Sequence, residues 1–145
     1  MDSDQVRENI RKLRFMPDLS VDLREKFIDI LLRISALRSL PEGTDFIHEE
    51  EHIDNKGYIL LEGAILVRKA EHQDMKCDAP ELIGEMQQFN PTHTRTATLT
   101  TSMPSTVLRF QWDEFWNAAT QELTPPEIDT VRKTLETHAW EHFTS

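Results

Sequence analysis

Short β-prone runs alternate with turn-forming residues from position 41 to position 110, and this pattern limits the fold more than any other feature of the sequence. Residues 58–61 and 64–67 are largely aliphatic runs separated by a Glu-Gly pair, and a further run occupies residues 107–110. β-branched and aromatic residues favour strands, whereas Gly, Pro, Asn and Asp favour the turns between them. The pattern predicts a β-barrel or jelly roll, in which the polar residues 68–81 form a hairpin loop.

Helical patterns flank the predicted barrel. On the N-terminal side, apolar residues recur at helical spacing from Val6 to Leu13, with Ser3 or Asp4 available as a cap, and a second helix is predicted to start at Ser20. These segments are expected to be packing helices, with their charged faces in solvent.

On the C-terminal side, a helix is predicted to begin at Trp112 and to end before the prolines at positions 125 and 126. A last helix is expected from Glu127 to about His142. The chain is therefore predicted to be one mainly β domain over residues 1–145. Its expected parts are N-terminal helices in 1–35, a double-stranded β-helix (jelly-roll) barrel in 36–111 and C-terminal helices in 112–145.

The composition argues against several classes of partner. The formal net charge is −10 and the sequence pI is near 5.0, so general attraction to nucleic acid or anionic lipid is not expected. Cys77 is the only cysteine, which excludes an internal disulfide and fits a reducing compartment. No apolar run reaches membrane-spanning length, and the acidic N-terminus is unlike a signal peptide. We expect a soluble, cytoplasmic protein without a membrane partner.

The stretch from residue 82 to residue 98 contains the parts of an anion-binding site. Gly84 allows the backbone to approach a ligand closely, because it has no Cβ. A turn from Gly84 to Gln88 can direct several backbone N–H groups at one point, as a helix N-terminus does. Arg95 can supply a guanidinium for a phosphate, and Glu85 can accept hydrogen bonds from a sugar hydroxyl or orient the arginine.

This stretch resembles the phosphate-binding cassette of the cyclic-nucleotide-binding domain family. The cassette reads roughly Phe/Ile-Gly-Glu-Leu/Met-Ala/Gly-Leu, a short loop, and then Arg-Ser/Thr/Ala-Ala-Thr/Val. The eleven-residue offset from Gly84 to Arg95 is the one found in the bacterial regulators of the family. The order of helices, barrel and helices is also that of the family. The matching residues are Gly84, Glu85, Met86, Arg95, Thr96, Ala97 and Thr98.

The resemblance implies a sensor module that binds a cyclic purine mononucleotide, cAMP or cGMP, and signals to an unidentified downstream protein through its C-terminal helices. By this analogy Arg95 pairs with the cyclic phosphate, Glu85 holds the ribose 2′-hydroxyl, and Thr96 contacts the phosphate or the base. The implied ligand-binding residues are Gly84, Glu85, Met86, Gln87, Arg95, Thr96 and Ala97.

The resemblance also bears on the purine and on the output of the module. Family members cover the base with a residue of the C-terminal helix, and Trp140 is the candidate lid by position. The bacterial transcription factors of the family carry a helix-turn-helix domain after the barrel. The sequence up to Ser145 holds no such element, so this stand-alone domain is not expected to bind DNA.

Each implied role has a structural alternative. Arg95 can be a surface arginine paired with Glu85, and Trp140 can pack on the barrel or on a dimer partner. Gln87 and Gln88 depart from the family pattern, which has a small residue and then an apolar one at these positions. The second function considered is therefore a pocket-degenerate interaction or dimerisation domain of the same fold, with a homodimer formed through the terminal helices.

A third function considered is a cupin-like metalloenzyme, since cupins share the jelly-roll barrel. His48 and Glu50 stand where a cupin would carry its His-x-His pair, and His93 is the only candidate for the later ligand. A solvated acidic loop explains residues 49–51 better, so no metal is expected. No local motif suggests a Ser-His-Asp arrangement, and Cys77 has no obvious basic neighbour, so the chain is not expected to be an enzyme.

Overall fold

Eight strands in the described part of the chain form two antiparallel sheets of four strands each. The structure is a computed structural model that describes residues 1–47, 55–69, 71–84 and 97–144, with only the backbone described for residues 140–144. One sheet has the strand order β1-β8-β3-β6 and the other has the order β2-β7-β4-β5. In chain order the strands are β1 (Ala36–Leu40), β2 (Asp45–Ile47), β3 (Lys56–Glu62), β4 (Ala64–Arg68), β5 (Met75–Asp78), β6 (Glu81–Ile83), β7 (Thr98–Thr101) and β8 (Ser105–Gln111).

Four α-helices and one short 3-10 helix of the described residues flank the barrel, so the predicted fold class, a mainly β jelly-roll barrel with helices at both ends, is confirmed. The helices pack around a core that includes residues of the β1-β8-β3-β6 sheet, among them Ile59 and Leu108. The helical elements are α1 (Ser3–Arg11), the 3-10 helix η1 (Met16–Asp18), α2 (Val21–Ile34), α3 (Trp112–Glu122) and α4 (Pro125–Thr144).

β3 has two buried faces, which explains why its sequence reads as a continuous apolar run. Tyr58 and Leu60 contribute to the core between the sheets, whereas Ile59 and Leu61 contribute to the core beneath the helices. Successive strand residues point to opposite faces, so one strand can serve both cores. Gly63 follows β3 at φ +103, and a Cβ there would lie 2.2 Å from Oγ of Ser105.

Residues 68–81 differ from the predicted hairpin loop, because they contain β5 and the first residue of β6. β5 is the edge strand next to β4, and Cys77 is its only buried residue. An edge strand with a solvated face carries polar residues and shows little apolar pattern, so residues 75–78 contain no clear strand signal. β1 was missed for the same reason, since three of its five residues are exposed.

Two helix starts also differ from prediction. Asp2 caps α1, in place of Ser3 or Asp4, and shares reciprocal hydrogen bonds with Gln5 in a capping box. α4 begins at Pro125 rather than at Glu127. Proline is well suited to the first turn of a helix, because no intrahelical partner exists there for a backbone N–H.

Candidate functional site

The two strands that enclose the predicted ligand-binding stretch lie in different sheets. Among the described strands, β6 pairs with β3 at the edge of its sheet, with Tyr58 opposite Ile83 and Leu60 opposite Glu81. β7 lies between β2 and β4 in the other sheet. Residues 85–96 therefore connect the edge of one sheet to the interior of the other, where backbone from both sheets can contribute to one site.

Gly84 leaves β6 with a φ of +90°, in the left-handed region. Side chains with a Cβ adopt this conformation only with strain, whereas glycine adopts it freely. The glycine that the sequence marks for close backbone approach is thus also the residue at which the chain turns out of the sheet.

Ala97 closes the stretch on the other side and is buried in the core between the sheets. Its cluster includes Ile83 on β6 and Leu99 on β7. The stretch therefore begins and ends in well-packed surroundings, with Ile83 directly before Gly84 and Ala97 directly before β7.

The remaining predicted site residues lie outside the described residues, and their roles stay predictions. This holds for the carboxylate and the guanidinium expected to contact the nucleotide, for the side chain of the candidate lid, whose backbone belongs to α4, and for the residues of the cupin alternative. These residues are Glu85, Met86, Gln87, Arg95, Thr96, Trp140, His48, Glu50 and His93.

A buried polar cluster that the sequence analysis did not foresee adjoins the stretch. Glu81, the first residue of β6, is only 1% exposed. Nη2 of Arg14 lies 2.5 Å from its Oε2, and Nε2 of His138 lies 3.0 Å from its Oε1. The backbone N–H of Leu82 also donates to Oε1, at 3.1 Å. A carboxylate of β6 thus lies in close contact with the segment after α1 and with α4.

The sequence contained a signal for part of this cluster. His138 follows Val131 by seven residues and Leu135 by three, so helical periodicity places all three on one face of α4. His138 is 3% exposed, and its ring centroid lies 5.2 Å from that of Phe15. A histidine on an apolar helical face indicates a buried polar partner, but the position of Glu81 in an unrecognised strand concealed that partner.

Other classes of site find no support in the ranges that the structure describes. No group of three or more His, Cys, Asp or Glu side chains there could hold a metal ion. Within the same ranges, no helix has both the length and the apolar character needed to cross a bilayer.

Comparisons with known proteins identify the architecture. A family model described as the cyclic nucleotide-binding domain matches residues 37–122. The sensor domain of the transcriptional regulator DNR from Pseudomonas aeruginosa is 18% identical, with a TM-score of 0.64 and 91% of each chain covered. A search of curated proteins finds no match.

Two further solved structures share the fold but are longer than this chain. A candidate cyclic nucleotide binding protein from Ruegeria pomeroyi is 16% identical, with a TM-score of 0.70 and with 95% of this chain and 60% of that chain covered. The regulatory domain of Toxoplasma gondii PKA, solved with cAMP, is 17% identical, with a TM-score of 0.62 and with 83% and 48% covered. At such identities the structural similarity supports the fold alone.

Proposed function

Because this chain belongs to the cyclic nucleotide-binding domain family, we propose that it is a non-catalytic regulatory module that binds a cyclic purine mononucleotide, cAMP or cGMP. The module passes the binding event to a partner protein through its C-terminal helices. The Toxoplasma regulatory domain, which has the same fold, was solved with cAMP, and cAMP is therefore the first ligand to test.

The observation that best supports this proposal is the backbone conformation of Gly84. It takes up a positive φ immediately after β6, at the first residue of the Gly-Glu and Arg-Thr-Ala pattern. A glycine in this conformation allows the following backbone N–H groups to turn towards one point, which is how backbone amides bind phosphate. Here those amides belong to Glu85, Met86 and Gln87.

The charge of the protein makes a guanidinium necessary at such a site. With a formal net charge of −10, the molecule as a whole repels an anionic ligand. Arg95 would offset this locally by a charge-assisted contact with the cyclic phosphate. Glu85 would accept a hydrogen bond from the ribose 2′-hydroxyl, and Thr96 and Ala97 would complete the contacts on the side of β7.

Ligand binding regulates a partner only if the ligand favours one arrangement of the protein over another. The differential contacts proposed here are those of the phosphate with Arg95 and with the amides after Gly84. The arrangement that they favour includes α3 and α4, which belong to the same buried core as Leu82 of β6.

The test is calorimetric titration of the folded protein with cAMP and cGMP. Wild type is expected to bind at least one of them, and Arg95→Ala is expected to abolish the heat of binding. Arg38→Ala is the matched control, because Arg38 lies on β1, at the opposite edge of the sheet from β6. If folded wild type gives no heat at millimolar nucleotide, or if Arg95→Ala binds like Arg38→Ala, the proposal is wrong.

A further inference from the structure

Glu81 occupies an unusual position for a carboxylate. It lies at the start of β6, three residues before Gly84, and it is almost completely buried. A charged group loses its hydration when it is buried, and proteins tolerate this only where partners compensate for the loss. The partners of Glu81 are therefore part of what keeps β6, and the turn that follows it, in place.

These partners come from distant parts of the chain. Arg14 belongs to the segment between α1 and η1, and its guanidinium reaches Oε2 from the solvent side. His138 belongs to α4 and approaches Oε1 from within the core beneath the helices, beside the ring of Phe15. One carboxylate thus joins the N-terminal segment, the C-terminal helix and the strand that leads into the proposed nucleotide site.

The first residue of β6 is the part of the strand whose position depends on the contacts of Glu81. β6 has three residues and, within the described ranges, pairs with β3 on one side. Leu82 and Ile83 are anchored in the two cores, whereas the side chain of Glu81 is placed by its polar contacts, so these contacts determine where the strand begins. If α4 moves away with His138, Glu81 either follows it or loses that contact, and the start of β6 then loses one of its fixed points.

We propose that Glu81 is a positioning residue that couples the docking of α4 to nucleotide affinity, through its contacts with His138 and Arg14. This inference rests on the proposed function, because the affinity concerned is that of the site after Gly84. When α4 is docked, His138 helps to fix the side chain of Glu81. Glu81 in turn fixes the start of β6, and β6 leads directly into Gly84. By reciprocity, a nucleotide that stabilises the turn at Gly84 stabilises the docked position of α4 by the same factor.

The experiment measures cAMP and cGMP affinity and hydrogen exchange in a small set of variants. His138→Leu and Glu81→Gln are each expected to weaken nucleotide binding by about fivefold or more, the lower end of the usual range for coupling between sites. The double variant is expected to be little weaker than Glu81→Gln alone, since His138 acts only through its contact with Glu81. His138→Gln, which keeps a polar side chain near Oε1, is expected to restore part of the affinity.

A control separates this coupling from general loss of stability. Val131→Ala removes buried packing from the same face of α4 but leaves the Glu81 contacts intact. It is expected to lower the unfolding midpoint with less than about a twofold change in affinity. If Glu81→Gln does not fold, Arg14→Gln replaces it, because the Arg14 side chain is largely exposed and tolerates change.

Hydrogen exchange without nucleotide provides a second readout. Glu81→Gln, or Arg14→Gln in its place, is expected to speed amide exchange in residues 12–19 and in the C-terminal half of α4 together, whereas Val131→Ala affects α4 alone. Variants that bind as tightly as wild type, or exchange that rises in only one of the two segments, overturn this inference. A wild-type protein that binds neither nucleotide overturns the proposed function instead, and the affinity coupling with it.

Discussion

Two glycines have nearly the same backbone φ. Substituting each of them distinguishes the effect of backbone strain from an effect on ligand binding. Gly84 has a φ of +90° and precedes the proposed phosphate contacts, whereas Gly43 has a φ of +82° in the turn before β2. A Cβ added to Gly43 would meet no atom within 4 Å, so substitution there adds strain without a clash. The pair therefore offers the same chemical change at two places, only one of which adjoins the proposed site.

Gly84→Ala is expected to lower the free energy of unfolding by about 1–3 kcal/mol, the usual strain of a non-glycine residue at positive φ. It is also expected to weaken nucleotide binding, because the amides of the following residues are redirected. Gly43→Ala is expected to show a similar loss of stability and unchanged binding. Urea unfolding and calorimetric titration measure the two effects, and equal binding by both variants would contradict the assigned role of Gly84.

Gln87 is a position at which this chain departs from the family pattern. Its substitution is expected to strengthen nucleotide binding, whereas that of Gly84 is expected to weaken it. The family has a small residue there, where backbone and ligand pass close together. Gln87→Ala is therefore expected to tighten nucleotide binding by shortening the side chain beside the site. Gln88→Ala serves as its neighbour control, and titration of both variants with cAMP and cGMP provides the measurement. Weaker binding by Gln87→Ala would indicate that the amide side chain contacts the ligand.

At the level of elements, the sequence predicts the strands and helices that have a strong apolar pattern, but it does not reveal the exposed strands at the sheet edges. β3 was recognised because both of its faces are buried, and α2 because Ser20 caps an apolar stripe. β1 and β5 were missed because their residues are mostly exposed. The cluster around Glu81 can be predicted only in part: helical periodicity places His138 on a buried face, but its contact with Glu81 joins residues far apart in sequence and depends on the way the helices pack on the sheet.

The start of α4 could have been predicted from a capping box that spans residues 124 to 127. The backbone N–H of Thr124 donates to Oε1 of Glu127 at 2.9 Å, and the N–H of Glu127 donates to Oγ1 of Thr124 at 3.3 Å. Ser or Thr followed three residues later by Glu is the sequence signature of such a box. The two prolines between them suit the first turn and do not delay the helix.

This box gives a pH prediction. The Thr124 backbone amide, and next the hydrogen bond from Lys26, lower the pKa of Glu127 below its ordinary value of 4.5. Since the folded-state pKa is the lower one, the stabilisation is present above the unfolded-state value and is lost as pH falls through the folded-state value. Glu127→Gln keeps the box but not the charge. Its urea midpoint is therefore expected to fall less than that of wild type on acidification.

The measurement compares urea midpoints between about pH 6 and pH 3, a range that spans ordinary carboxyl titration. Glu136→Gln is the control, because Glu136 is an exposed carboxylate on the same helix. It is expected to retain the acid dependence of wild type. If Glu127→Gln and Glu136→Gln lose stability in parallel on acidification, the capping carboxylate contributes nothing to the acid dependence.

The molecule as a whole has two cores that share the β1-β8-β3-β6 sheet. One core lies between the two sheets and includes Ile83 and Ala97, and the other lies beneath the helices and includes Leu82 and Val131. Leu82 and Ile83 are neighbours on β6, so the strand that leads into Gly84 contributes to both. A ligand at the end of β6 is therefore expected to influence the stability of the entire domain.

The effect of a ligand on the stability of the domain distinguishes the proposed sensor from the alternative, an interaction or dimerisation domain. A nucleotide at one hundred times its dissociation constant is expected to add about 2.7 kcal/mol to the free energy of unfolding, and so to raise the melting temperature. Arg95→Ala is expected to remove this shift without lowering the melting temperature of the free protein by more than Arg38→Ala does. A pocket-degenerate interaction domain behaves differently, because neither nucleotide changes its melting temperature and its own concentration does. Thermal unfolding over a range of protein concentrations, with and without cAMP or cGMP, therefore distinguishes the two, and a melting temperature that responds to concentration alone favours a homodimer over a sensor.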